Sequence, residues 1–142
     1  MRTYLSVVAV VFAFSLGCSS GTNTGTKCTT ASQCYPGIDA GALSGPAVCL
    51  DKAPEGYCTH ECATDADCCT LPGECQPGFK QVCSPFESTG KQYCFLSCES
   101  ADITASDAGI TDANAYCAKF SAQSFTCRST GGGSANRKVC FP

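Results

Sequence analysis

The longest apolar run of the chain lies at its start. From Leu5 to Leu16 ten of twelve residues are apolar, with Arg2 ahead of them and the small residues Ser15 and Gly17 at the end. One positive charge, a short apolar stretch and small residues before a cut make the layout of an export signal, so residues 1–17 are predicted to be removed. The run is shorter than the ~20 residues a bilayer-spanning helix needs, and no later segment comes near that length.

After Gly17 the pattern changes. Apolar residues come in short groups beside cysteines, and the cysteines recur in order. Three stapled repeat units follow from this spacing: Cys28, Cys34, Cys49 and Cys58 (28–58); Cys62, Cys68, Cys83 and Cys94 (62–94); Cys98, Cys117, Cys127 and Cys140 (98–140). Three residues separate successive units, and Cys69 and Cys75 form an extra pair inside the second. Thr30, Thr64 and Thr111 stand before the second cysteine of each unit, where a hydroxyl can cap a single helical turn. Val48 and Tyr57, Val82 and Tyr93, and Thr126 and Val139 precede the third and fourth cysteines, which enclose glycine-bearing loops of 8, 10 and 12 residues. β-branched and aromatic residues around such loops predict short β-hairpins; irregular loop stapled at intervals is the alternative. The Ala-, Gly-, Ser- and Asp-rich stretches 37–47 and 99–116 read as surface loop, except that 112–121 can form a helix with Tyr116 and Phe120 on one face. The expected fold class is therefore small and disulfide-rich, with hairpins, single helical turns and little regular structure.

Composition sharpens this picture. Without residues 1–17, Ile, Leu, Val and Phe supply 16 of 125 residues, about 13%, below the roughly 20% at which a chain struggles to stay folded. No conventional hydrophobic core is expected, and disulfides are expected in its place. Zinc is the competing use for so many thiols, but the usual pairing of cysteines two residues apart is absent, so no metal site or other cofactor is expected. Adjacent Cys68 and Cys69 are poorly placed to bond each other and should staple in two directions. Connectivity stays open, since fourteen cysteines allow about 135,000 pairings.

Cys18 directly follows Gly17 and precedes the polar stretch SSGTNTGT. This junction resembles the processing site of a bacterial lipoprotein, which implies cleavage before Cys18 and lipid attachment to its thiol. The usual Leu three places earlier is Ser15 here, with Leu16 next to it. Parity agrees with lipidation, because setting Cys18 aside leaves fourteen cysteines, an even number. Residues 18–27 are then the lipidated cysteine and a flexible tether, and 28–142 the folded domain. Within that domain CATDADCCTLPGEC, from Cys62 to Cys75, resembles the C-x-x-D-x-x-C-C pattern of whey-acidic-protein and Dickkopf-like modules with one extra residue in its first gap. That likeness implies a disulfide scaffold and no inherited activity. The whole resembles a cysteine-rich bacterial lipoprotein.

The mature chain has eight basic and twelve acidic residues, −4, and no basic run, which argues against nucleic acid as a partner. His60 is the only imidazole; beside Glu61 it could serve a nucleophilic site, but it reads as a solvated linker residue. No two-residue CxxC motif supports thiol exchange, and Asp65, Asp67, Asp102, Asp107 and Asp112 lack the order of a calcium loop. These acids read as caps and surface charge. The expected function is that of a non-catalytic, lipid-anchored protein of the cell envelope, partnered by the membrane and by a protein or surface ligand. A secreted protease inhibitor is the alternative, with Lys52, Lys80, Arg128 or Lys138 filling a specificity pocket.

Overall fold

The computed structural model describes residues 23–86, 88–122, 124–131 and 136–142. The signal, 1–17, Cys18 and the tether up to Thr22 lie outside the described residues. Three antiparallel hairpins carry the chain: β1 (Ala47–Cys49) with β2 (Cys58–His60), β3 (Gln81–Pro85) with β4 (Gln92–Leu96), and β5 (Thr126–Ser129) with β6 (Lys138–Phe141). Their registers set Cys49 opposite Cys58, Cys83 opposite Cys94 and Cys127 opposite Cys140.

None of these facing cysteines bonds its opposite number. Each reaches back to the segment before its hairpin, giving Cys28–Cys49 with Cys34–Cys58, Cys62–Cys83 with Cys68–Cys94, and Cys98–Cys127 with Cys117–Cys140. First joins third and second joins fourth in every case, so the preceding segment is tied across both strands. Cys69–Cys75 closes a separate small loop, and Cys68 and Cys69 do staple in two directions. Two-stranded hairpins are marginal alone in water, and these bridges supply the missing constraint.

Single 3-10 turns, Ala31–Gln33 and Asp65–Asp67, place Cys34 and Cys68. Thr30 and Thr64 take the cap positions as expected, but the side chain three residues on does the bonding. Gln33 Oε1 accepts from the Thr29 and Thr30 amides at 2.6 and 3.3 Å, and Asp67 Oδ2 from those of Ala63 and Thr64 at 2.9 and 2.7 Å. In the third segment a true helix, α2 (Ala113–Phe120), places Cys117. Its cap is Asp112, whose carboxylate accepts from the Ala115 amide at 2.7 Å, and not the expected Thr111. A charged acceptor suits a helix amino terminus better than a hydroxyl. A second helix, α1 (Ser100–Ala105), arises where loop was expected. Its one buried residue, Ile103, carries too little periodicity to read, while Lys80 from the preceding segment and Ser97 from the connector hold its Asp102.

The expectation of no hydrophobic core is overturned. Fourteen buried residues form one cluster drawn from all three segments, among them Leu50, Tyr57, Val82, Phe95, Ile103, Tyr116, Phe125 and Val139. The Tyr57 ring lies 5.5 Å from Phe95 and 5.0 Å from Phe125. Tyr57 comes from the first segment, Phe125 from the third, and Phe95 from the connector that follows the second. A count of aliphatic residues and Phe leaves out the tyrosines and half-cystines, which here share the interior. Edge bridges join the hairpins as well, Glu61 to Tyr93 and Ser97 to Val139.

Candidate functional site: a buried histidine and glutamate beneath an amino-terminal strap

All three residues of β2 are buried. β1 covers one of its edges, and the chain from Asn23 to Thr26 covers the other: the Gly25 amide donates to the Cys58 carbonyl at 2.8 Å and the Cys58 amide to that of Thr26 at 2.9 Å. Part of the expected tether is thus a docked strap, with Asn23 and Thr24 buried. Two glycines let the backbones close in. A Cβ on Gly56, which has φ +72°, would stand 1.9 Å from the Cys28 carbonyl oxygen, and one on Gly45 2.2 Å from that of Glu61.

His60, at the end of β2, is not the solvated linker residue its sequence surroundings suggest. Its side chain and that of Glu74 are both 0% exposed, with Nε2 and Oε1 2.8 Å apart. The reason is tertiary: the loop closed by Cys69–Cys75 folds over the strand end and brings in Glu74. The second ring nitrogen, Nδ1, lies 2.8 Å from the Glu61 carbonyl oxygen. A carbonyl only accepts, so Nδ1 is the donor there, and Nε2 faces the Glu74 carboxyl group.

Glu74 is fully satisfied. The Cys69 amide donates to Oε1 at 2.6 Å, and the Leu71 amide and Thr70 hydroxyl to Oε2 at 3.0 and 3.4 Å. Its backbone carbonyl accepts from the Asn23 and Thr24 amides at 3.2 and 2.8 Å, so the loop also grips the strap. Tyr35 packs edge-on to His60 and shares a hydrogen bond with the Thr24 hydroxyl. Burial pushes its phenol well above the ordinary range, which keeps the hydroxyl neutral. Burying polar groups together is tolerated only when every remaining donor and acceptor is used, and here they are.

Chemically the arrangement is closed. Glu61, the carboxylate beside His60 in sequence, turns its side chain to Lys91, and neither imidazole nitrogen faces solvent. Sequence reasoning missed Glu74, fourteen residues from its partner. One signal was available: from Cys68 to Phe79 it is the only charged residue.

The other candidate residues do not converge. Asp65 accepts from the Cys83 amide at 3.0 Å and pairs with Arg137, whereas Asp67 turns to its own turn. Asp102 pairs with Lys80, Asp112 caps α2, and Asn114 accepts from the Cys127 amide. Lys52 lies in the β1–β2 loop, Lys80 before β3, Arg128 in β5 and Lys138 in β6. Cysteine sulfurs gather within 4.8 Å in three sets, Cys28, Cys34 and Cys58; Cys62, Cys68 and Cys94; Cys98, Cys117 and Cys127. Each of these sulfurs is bonded to another cysteine, and zinc is held by thiolates, so the sets are disulfide clusters in this state. An open cleft of about 450 Å³ between α1 and the loop after it is lined by Ile103, Thr104, Asp107 and Ile110.

Seven disulfides form only where thiols oxidise, which sets this fold in an oxidising, extracytoplasmic environment. No helix among the described residues is long and apolar enough to cross a membrane. Compared with known protein families, curated proteins and solved structures, the chain matches none.

Proposed function

We propose that this chain is an exported lipoprotein, cut after Gly17, lipidated on Cys18 and held at the cell envelope as a rigid binding or structural module. The observation that carries the reading is the use of thiols. The seven bridges consume every cysteine from Cys28 onward, so none of them is left to pair with Cys18. An unpaired thiol directly after an apolar export run is the group a lipid would occupy, and two or more acyl chains give stable anchoring where one gives marginal binding. Its partner is a protein or surface ligand met by loops that the bridges hold in place, so little order is lost on binding. No reaction is assigned to the chain, because its one imidazole is enclosed.

The test is the intact mass of protein extracted from the membranes of its host, with and without alkylation under non-reducing conditions. Residues 18–142 plus acyl chains, with no alkylated thiol, is the expected result. A mass without lipid, or several free thiols, overturns the reading.

A further inference from the structure

We infer that the face formed by the loops Thr70–Gly78 and Tyr35–Ile38 lies against the phospholipid bilayer. The inference rests on the lipid-anchor reading, and three observations lead from that anchor to this face.

The first is reach. Four residues, Ser19 to Thr22, separate Cys18 from Asn23, and five residue steps span at most about 18 Å when fully extended. Asn23 is not free to drift. Its amide and side chain both donate to the Gly73 carbonyl, the latter at 2.9 Å, and Thr24 is tied to Glu74 and Tyr35. A lipid on Cys18 therefore draws the Gly73 end of the domain to the surface.

The second is charge. Thr70, Pro72, Gly73, Pro77 and Gly78 are exposed, and the sole charged residue of that loop, Glu74, is turned inside and fully buried against His60. The neighbouring loop carries no charge from Tyr35 to Ile38, and Ile38 and Leu71 pack on the same small apolar cluster. Exposed charge would have to lose hydration near the headgroups, and a carboxylate would be repelled by anionic lipid. From Thr70 to Gly78 and from Tyr35 to Ile38 neither cost arises, and the exposed carboxylate of Asp39 follows at the edge of the face.

The third is the groove beside the strap. Thr24, Gly25, Thr26, Gln76, Phe120 and Lys119 line it, and Lys119, an exposed cation set over the Phe120 ring, is its only charged residue among the described ones. A cation at that edge favours the same surface.

The chain has no tryptophan, so one introduced residue is a unique fluorophore. Lipidated Pro72→Trp and Thr89→Trp proteins, their acyl mass confirmed, are placed in phosphatidylcholine–phosphatidylglycerol vesicles containing brominated lipid. Thr89 sits at the tip of the β3–β4 hairpin, the far end of β3 from Lys80. Quenching at least threefold stronger for Pro72→Trp, with a blue-shifted emission, is expected; Pro77→Trp serves in its place if that variant does not fold. Equal or reversed quenching with the acyl mass present overturns the orientation alone. An absent acyl mass overturns the anchor and this inference with it.

Discussion

The segments 28–58 and 98–140 carry the same order of disulfides on different secondary structure. In the first, one 3-10 turn suffices to place Cys34; in the last, α1 and α2 fill the interval between Cys98 and Cys117. Loop separations across the second bridge are nonetheless alike, 24 and 23 residues. The bridge and the hairpin thus define the unit of construction, while the chain between first and second cysteine is free to vary. Segment 62–94 varies differently, with the Cys69–Cys75 loop inserted after its turn, and that insertion encloses His60 from the connector before it.

Breaking the insertion's grip should have the largest effect. Glu74→Ala leaves the His60 ring and two amides buried without an acceptor, a loss of about 3–5 kcal/mol. Glu74→Gln, which keeps oxygen for some of them, should cost less, about 1–3 kcal/mol. Denaturant unfolding measures both; a loss below about 1 kcal/mol for alanine would mean the pair is not enclosed. Next comes the second bridge of each segment. Chain entropy contributes about 3.5 kcal/mol to loops of this length, so removing Cys34–Cys58 or Cys117–Cys140 by paired alanines should cost about that much from the entropy term. We expect the third segment to lose less of its structure, since Tyr116 and Phe120 pack α2 against Phe79. Amide exchange across α2 after removal of Cys117–Cys140 decides this, and collapse of all protection there would show that the bridge alone holds the helix.

The inserted loop should then prove the weakest link. Cys69–Cys75 spans six residues, for which the same model gives about 2.2 kcal/mol, and Cys69 is the one exposed half-cystine among the described residues. Under graded reduction and alkylation, Cys69 and Cys75 should be labelled first. Earlier labelling of any other pair would refute the ranking. The smallest effect separates the two single turns. Amides of Ala63 and Thr64 hold the Asp67 carboxyl below its ordinary range, while the corresponding residue of the first turn is Gln33, which does not titrate. A carboxyl lowered in the folded state contributes stability above its unfolded value, near 4, and loses it as pH falls through the folded one. Acid should therefore speed amide exchange at Ala63 and Thr64 relative to Thr29 and Thr30, and a parallel response would remove the distinction.

Much of this architecture is written locally. Cysteine order, β-branched and aromatic neighbours and glycine-bearing loops mark the hairpins, because strand propensity and turn chemistry act over a few residues. The helix 113–120 is legible for the same reason, through the spacing of Tyr116 and Phe120. Nothing local states that first joins third and second joins fourth. Pairing is decided by which sulfurs the folded backbone brings within bonding distance.

The site lies further still from the sequence. His60 looks solvated between two cysteines, and Glu74 looks like any surface carboxylate, until strap and loop cover them. The shared core is not legible locally because its rings, Tyr57, Phe95 and Phe125, lie far apart in the chain and act only when gathered. By itself, then, the sequence determines a cysteine count that demands oxidation and three hairpins. The tertiary structure alone decides the pairing, the common aromatic interior and the burial of one acid with one imidazole, since these depend on contacts between residues far apart in the chain.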